Sequence, residues 1–325
     1  MFDIWLPLLG GLVLLVLGGD LLVRGAVQVA GRLGVSPLVI GLTLVGFGTS
    51  MPELVTSVRA ALSGAPGIAY GNIVGSNIAN ILLIAGASAL IYPIAVAAPA
   101  LKRDAGFMVA VAVAFAALSA VMPMGRLPGL VCVAALAGYI YLAFRQESAG
   151  ESHGAVHDKE AALEGADPAT APQAAGKGSI LVPLAIAIGG LVLVVLGGGF
   201  LVEGAVTLAR TMGISETVIG LTIVAIGTSM PELVTSVIAA VKRQGDVAFG
   251  NIVGSNLYNI LGIGGATPPV APRPVPAEIV RFDNLVMVAV SALFVVFAAT
   301  GLRIGRREGA ALLAGYGTYV WVIWP

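Results

Sequence analysis

Residues 48–53 read Gly-Thr-Ser-Met-Pro-Glu, and residues 227–232 repeat the same six residues. Each hexapeptide lies inside a long apolar run, where a continuous helix would otherwise be expected. Proline cannot donate a hydrogen bond to the carbonyl four residues earlier, and it disfavours helical geometry in the residue before it. The two copies therefore predict two helices that break or kink at the same motif.

The composition places these runs in a membrane. Of 325 residues, 58% are hydrophobic and 10% are charged, whereas a soluble domain carries about 25% charged residues. Ten apolar runs approach the ~20 residues that cross a hydrocarbon core of ~30 Å. These runs are residues 5–24, 37–62, 68–91, 105–123, 128–145, 180–201, 216–241, 247–267, 283–301 and 308–324. The first has neither a preceding basic residue nor a cleavage site, so we interpret it as a retained helix.

Several classes of function are disfavoured by the polar residues. Seventeen Lys and Arg balance seventeen Asp and Glu, which leaves no basic field for nucleic acid. Cys132 is the one cysteine, so a disulfide framework and a thiolate cluster are excluded. His153 and His157 share one polar stretch, which excludes histidine-based catalysis in the apolar body. We therefore expect a protein that is not an enzyme and needs no cofactor.

The chain divides into two related halves. A polar segment, residues 146–179, is rich in charged residues, Ala, Pro and Gly, and predicts a solvated, disordered linker. It separates residues 1–145 from residues 180–325. Residues 41–84 align with residues 220–263 at a constant shift of 179, and 29 of the 44 positions are identical. This predicts an all-α integral membrane protein of ten transmembrane helices in two five-helix repeats, with broken second and seventh helices.

The number of helices in each repeat decides the topology. Because five is odd, the second repeat enters the membrane from the side opposite to the first. With the N-terminus outside, twelve of the seventeen Lys and Arg lie on the linker side, as the positive-inside bias requires. We therefore expect a multi-pass protein of the cell (inner or plasma) membrane, surrounded by the lipid bilayer, with a cytoplasmic linker and both termini outside. Inverted repeats are typical of secondary transporters, whose sites lie between the repeats near the midplane.

Glu53 and Glu232 indicate what the site binds. A charged side chain at the centre of a membrane helix costs about 2.5–3.5 kcal/mol on insertion scales, so a repeated pair requires compensation. Hydroxyl groups and the carbonyls freed by each helix break are hard oxygen ligands, and a glutamate supplies the negative charge that a hard cation requires. The duplicated motif therefore predicts a cation site inside the membrane.

The third helix of each half adds polar side chains at a spacing of four, which places them on one helical face. They are Asn72, Ser76 and Asn80 in the first half and Asn251, Ser255 and Asn259 in the second. We expect Ser76, Asn80, Ser255 and Asn259 to point toward the glutamate helices. The alternative is that such amides and hydroxyls only join helices, which applies most to Asn72, Asn77, Asn251 and Asn256.

Two further acids are interpreted as structural. Asp104 and Asp283 lie near the start of the fourth helix of each half, beside basic residues. A carboxylate at a helix N-terminus is stabilised by the helix dipole, so we expect both to act as caps.

The paired motifs, Gly-Thr-Ser-Met-Pro-Glu and Gly-Asn-Ile-Val-Gly-Ser-Asn, each present twice, resemble the alpha-repeats of the sodium/calcium exchanger family, within the calcium/cation antiporter superfamily. The resemblance implies four cation sites between the second, third, seventh and eighth helices. It implies that Glu53 and Glu232 are carboxylates shared by Ca²⁺ and Na⁺. The remaining residues that it implies are the hydroxyls of Ser50, Ser229, Ser76 and Ser255, the backbone oxygens of Thr49, Thr228, Gly46 and Ala225, and Asn80 and Asn259 at the centre.

One position departs from part of the family. Archaeal members place an aspartate where this chain has Asn259, so two acidic side chains are expected here, as in animal sodium/calcium exchangers. One Ca²⁺ or two Na⁺ would neutralise that pair. We therefore predict an antiporter that exchanges Na⁺ for Ca²⁺ by alternating access and exports Ca²⁺. The alternative is an H⁺/Ca²⁺ antiporter with the same site, because burial disfavours the charged form of a carboxylate and a proton could replace Na⁺. A channel is a further, weaker alternative.

Overall fold

The computed structural model describes residues 2–33, 46–148, 161, 165 and 179–325, and these are mainly helical. The α-helices of the first half are α1 (Phe2–Arg32), α2 (Gly46–Gly48), α3 (Met51–Leu62), α4 (Pro66–Ala79), α5 (Gly86–Ile91), α6 (Ala98–Ala100), α7 (Gly106–Val121) and α8 (Arg126–Ser148). Those of the second half are α9 (Leu181–Met212), α10 (Glu216–Ile219), α11 (Ala225–Thr228), α12 (Met230–Val241), α13 (Gly245–Leu257), α14 (Gly264–Val270), α15 (Asn284–Ala299) and α16 (Arg306–Ile323). Wider, π-helical turns join several of them at Asn80–Ala85, Leu101–Ala105, Gly220–Val224, Tyr258–Ile263 and Ile279–Asp283.

The helices are those of a multi-pass membrane protein. Within the described residues, six helical spans have the length and apolarity to cross a bilayer, and a pair bent by 50° forms a seventh if it is one span. The six are Asp3–Ala30, Pro66–Ile91, Leu101–Val121, Arg126–Ala143, Leu181–Met212 and Ile279–Ala299, and the bent pair is Glu216–Thr228 with Met230–Val241. Helices also lie in the remaining predicted runs, which are residues 37–62, 247–267 and 308–324. Residues 37–45 are outside the described part of the chain. The ten-span count stays a prediction.

Helices α1 and α9 pack antiparallel along their length. Gly18 faces the backbone of α9 so closely that a Cβ atom would lie 2.7 Å from the nitrogen of Val194. A Cβ atom on Gly190 would lie 2.3 Å from the nitrogen of Leu22. Only glycine permits such a backbone approach. Gly11 meets Gly197 and Gly18 meets Gly190, so the contacts move toward the start of α9 as they move toward the end of α1, and the two equivalent helices run in opposite directions.

The two long helices that carry the polar faces lie at the centre of the molecule. Every residue of α4 from Gly67 to Ala79 is buried, and Tyr70 and Tyr258 are among the largest fully buried side chains. Helices α1 and α9 instead expose large apolar residues, of which Leu6 and Leu181 are about 70% exposed. Membrane lipid would cover such residues, so the polar helices are shielded by an apolar outer layer.

Several contacts define one side of the molecule, which we call the linker side. Arg32, at the end of α1, donates a hydrogen bond to the carbonyl of Ser179, just before α9. Lys242, after α12, donates one to the carbonyl of Gly165 at 2.7 Å. Two short antiparallel strands, β1 (Ile94–Ala95) and β2 (Arg303–Ile304), lie on this side too, since Gly245 packs against Ala95. Helix α8 continues to Ser148, three residues into the predicted linker; most of that linker is outside the described residues.

The capping role expected for Asp104 and Asp283 is wrong. Asp104 is in the second turn of a helical segment that begins at Ala98, because the helix starts earlier than the apolar run. Its carboxylate accepts a hydrogen bond from Tyr139 at 3.0 Å, and Asp283 accepts one from Tyr319 at 3.0 Å. Neither carboxylate caps a helix end. These repeat-equivalent bonds instead join each fourth helix to the helix that follows it.

Candidate cation-binding site

Each Gly-Thr-Ser-Met-Pro-Glu motif interrupts its helix, as predicted. In the first half α2 ends at Gly48 and α3 begins at Met51; in the second, Ser229 separates α11 from α12. Ser50 has φ −87° and ψ 5°, and Ser229 has φ −81° and ψ 10°, so both depart from helical values. The proline at the second position of the next helix explains the break, because it provides no amide hydrogen for the preceding turn.

The two glutamates are joined by crossed hydrogen bonds between the halves. Ser229 Oγ donates to Glu53 Oε1 at 2.9 Å, and Ser50 Oγ donates to Glu232 Oε1 at 3.2 Å. All four side chains are at most 2% exposed. Each serine is one turn from the glutamate of its own half, so these crossed bonds bring the two carboxylates into a single buried cluster. Among the described residues, no group of three or more His, Cys, Asp or Glu is positioned to hold a metal ion.

Asn72 and Asn251 donate hydrogen bonds to the helices that carry the glutamates. Asn72 Nδ2 donates to Ser57 Oγ at 2.9 Å and to the carbonyl of Glu53 at 3.2 Å. Asn251 Nδ2 donates to Ser236 Oγ at 2.7 Å. Ser57 and Ser236 were missed by the sequence reasoning, although each lies four residues after its glutamate and hence on the same helical face. These bonds join each third helix to the glutamate helix of its own half, which is the role that the sequence left open for Asn72 and Asn251.

The third-helix residues are buried beside this cluster. Ser76 and Ser255 are fully buried, and Asn80 and Asn259 are 1% exposed. Asn80 Nδ2 donates to Asn256 Oδ1 of the other half at 3.0 Å. Within the described part of the chain, Ser76 Oγ and both amide atoms of Asn259 make no hydrogen bond. Such buried polar atoms require an explanation, and the hydroxyl of Ser76 and the amide oxygen of Asn259 are groups that can bind a hard cation.

The predicted backbone ligands lie at the helix breaks (Thr49 and Thr228) or about one turn before them (Gly46 and Ala225). The carbonyl of Ala225 accepts hydrogen bonds from the Ser229 amide at 3.1 Å and from Thr228 Oγ1 at 3.4 Å. Ala225 also packs against Gly75, next to Ser76. Gly46 opens α2, one turn before the break. Thus Ala225 lies beside α4, the third helix of the first half, and its carbonyl already accepts hydrogen bonds from Thr228 and Ser229.

The two threonines of the motif are not in equivalent surroundings. Thr228 Oγ1 donates to Asn72 Oδ1 at 2.9 Å. In the other half, Thr49 Oγ1 and Asn251 Oδ1 make no hydrogen bond with any described residue. One of two possible cross-repeat bonds is therefore formed, although the residues on both sides are identical.

A cavity of about 630 Å³ lies on the side of Thr49 and separates α1 from α12. It is lined by Leu12, Val13, Val16, Leu17, Gly19, Asp20, Val23, Gly48, Thr49, Pro52, Met230, Pro231, Val234, Thr235 and Ile238. On the opposite side the equivalent helices touch: a Cβ atom on Gly198 of α9 would lie 2.8 Å from Val55 of α3. The cavity reaches Thr49 of the motif, and its lining continues along α1 to Val23 and along α12 to Ile238, toward the ends of both helices on the linker side.

Comparison with known proteins identifies the family. The profile of the family described as "Sodium/calcium exchanger protein" matches residues 4–146 and 182–324. The putative antiporter CaxA of Alkalimonas amylolytica is 37% identical over 316 residues, which cover 96% of each chain. The sodium/calcium exchanger MaX1 of Methanosarcina acetivorans is 37% identical over 344 residues and 98% of each chain.

A solved structure agrees with these sequence matches. The sodium-calcium exchanger NCX_Mj, soaked with 2.5 mM Na⁺ and 1 mM Sr²⁺, superposes with a TM-score of 0.63 at 32% identity, over 97% of this chain and 96% of that one. The resemblance inferred from the duplicated motifs is thereby confirmed. This chain belongs to the sodium/calcium exchanger family of membrane antiporters.

Proposed function

We propose that this protein exchanges Na⁺ for Ca²⁺ at the buried cluster between its two halves and exports Ca²⁺ from the cell. The observation that carries the proposal is the pair of crossed bonds, Ser229 to Glu53 and Ser50 to Glu232. They draw one carboxylate from each half into a single buried cluster. Two carboxylates in an apolar interior would be unfavourable without a bound cation or proton.

The proposed ligands surround that pair. Glu53 and Glu232 supply the charge, and the hydroxyls of Ser50, Ser229, Ser76 and Ser255 supply neutral oxygens. The backbone oxygens of Thr49, Thr228, Gly46 and Ala225 extend the set, with Asn80 and Asn259 at its centre. Ser76 and Asn259 support this assignment most, because their buried polar atoms make no hydrogen bond with the described residues. Hydroxyl, carbonyl and carboxylate oxygens are the ligands that Ca²⁺ prefers.

Charge explains why such a site would exchange rather than leak. The two ionised carboxylates carry a charge near −2, which one Ca²⁺ or two Na⁺ neutralise. A neutral, compact cluster can be covered by apolar helices at little cost, whereas the empty charged cluster resists that change. Either ion set therefore permits the site to change sides, and the empty site does not.

The unequal packing of the two halves supports alternating access. The cavity between α1 and α12 leads toward the linker side, while α3 packs against α9 on the other. We propose ten helices in two inverted repeats, with the linker cytoplasmic and both termini outside the cell membrane. In that orientation the cavity faces the cytoplasm, and exchanging the packing of the two helix pairs would expose the site outside.

The test is the uptake of radioactive calcium into proteoliposomes under separately imposed gradients. We expect an outward sodium gradient to drive uptake, and a pH gradient at equal sodium to leave it unchanged. A response to the pH gradient alone would replace Na⁺ with H⁺ as the coupling ion. Calcium conductance without any counter-ion gradient would contradict antiport altogether.

A further inference from the structure

The cavity that reaches the site carries one acid of its own. Asp20, on α1, is the single ionisable residue among the described residues that line it, and apolar side chains form most of its wall. The Asp20 side chain is 36% exposed, whereas Thr49, at the inner end, is 5% exposed. Asp20 therefore lies nearer the mouth of the cavity than the buried cluster does.

A basic residue accompanies this acid. Arg24, one turn further along α1, donates through Nε to Asp20 Oδ1 at 2.9 Å. Its side chain is 38% exposed and does not line the cavity. Because both groups are partly exposed, the pair is held weakly, and a cation arriving through the cavity can compete with Arg24 for the carboxylate.

Comparison of the two repeats shows that the second repeat has no acid at the position equivalent to Asp20. At the shift of 179, Asp20 corresponds to Gly199, and Ile238 of the cavity wall corresponds to Arg59. On the packed side, Arg59 lies over Gly199, with its guanidinium 3.1 Å from where a Cβ atom would be. The route from the linker side is thus marked by a carboxylate on α1, and the opposite route by a guanidinium on α3.

We propose that Asp20 is the first binding point for cations that enter from the linker side, and that Arg24 neutralises Asp20 when α12 closes against α1. This rests on the proposed function and extends it to a residue outside the cation cluster. A carboxylate in a low-dielectric cleft concentrates cations locally. Closure would cover it with Val234 and Ile238, which is costly for an unpaired charge and far less so for a paired one.

Transport measured separately at each face tests the proposal. The protein is reconstituted into vesicles, and its orientation is determined by protease access to an epitope inserted between the two halves. Transport in these vesicles gives the half-saturating Ca²⁺ concentration at each side. We expect Asp20→Asn to raise it roughly threefold to tenfold at the linker side, with weaker dependence on ionic strength, and to leave the other side unchanged. Asp20→Glu should behave as wild type. Glu203→Gln, an exposed acid-to-amide change on α9, is the matched control.

Arg24→Gln gives an effect of opposite sign. Removing the competing guanidinium should lower the half-saturating Ca²⁺ concentration at the linker side, and Asp20, no longer bonded to Arg24, should slow maximal exchange. A merely structural ion pair would instead make Asp20→Asn and Arg24→Gln alike. Equal shifts at both faces, or none in Asp20→Asn, would overturn the proposal.

A measurement without transport keeps the inference separate from the proposed function. A cysteine at Val234, in a Cys132→Ala background, can be modified with cationic and with anionic methanethiosulfonate reagents. We expect the cationic reagent to be favoured, and Asp20→Asn to reduce that preference roughly threefold or more while Glu203→Gln does not. An unchanged preference would refute the role of Asp20 even if exchange is observed; a reduced one would support it even if the coupling ion is not Na⁺.

Discussion

Helix pairs α3–α9 and α1–α12 are equivalent in the repeat but differ in packing. Val55 of α3 presses against Gly198 of α9, whereas Val234, its counterpart, is 48% exposed and lines a cavity. The motifs beside them are identical in sequence. The identical motifs therefore do not decide the difference, which lies in how α1 and α9 pack against α12 and α3. Under the proposed mechanism, exchanging these two packings exposes the site to the other side of the membrane.

The largest expected effect tests whether the two halves contribute equally to the cation site. Glu53→Gln and Glu232→Gln should each reduce calcium exchange at least a hundredfold, because either change removes half of the charge that holds the ions. Counter-ion-driven calcium flux is the measurement, and Glu203→Gln should retain it. Wild-type exchange in either variant would contradict the shared site, and a loss in one alone would show that the halves are not equivalent in chemistry.

Cysteine accessibility measures the difference in packing directly. In a Cys132→Ala background, a cysteine at Val234 should react at least tenfold faster than one at Val55 with a membrane-impermeant thiol reagent applied from the linker side. The reason is that water enters the cavity beside Val234, while Val55 is packed on Gly198. Equal rates would mean that the cavity is not an aqueous route.

The threonine bonds offer a finer test of the same comparison. Thr228→Val removes the bond to Asn72 and leaves a buried amide oxygen without its donor, at a cost of about 1 kcal/mol. That corresponds to roughly a fivefold shift in population away from the packing in which the cavity is open. The shift should be seen as slower labelling of the cysteine at Val234. Thr49→Val breaks no such bond and should not slow labelling. The same change in both variants would show that these bonds do not distinguish the two packings.

The smallest effect concerns the acids that join helices. Tyr319→Phe should lower the melting temperature in detergent by a few degrees, and Tyr139→Phe by less, since each removes one hydrogen bond to a buried carboxylate. Asp104 keeps a second partner, Arg103, at 2.8 Å, which compensates in part. If Tyr139→Phe were the more destabilising, this ranking of the two contacts would be reversed.

The sequence by itself determined the membrane character, the duplication, the helix breaks at Ser50 and Ser229 and the placement of one glutamate, Glu53 or Glu232, inside an apolar run of each half. These follow from composition, from proline chemistry and from the cost of a buried charge, all of which are local or additive. It also favoured a capping role for Asp104 that proved wrong, because a helix start depends on backbone geometry outside the apolar run.

Only the tertiary structure decided what crosses between the halves. Ser229 meets Glu53 rather than Glu232, Ser57 is recruited through Asn72, and Thr228 is bonded while Thr49 is not. Contacts between segments more than a hundred residues apart leave no periodic signal in the chain. Identical motifs, moreover, cannot specify different environments. The cavity at Asp20 exists because one helix pair is tightly packed and its copy is not, and that choice is made by packing across the whole molecule.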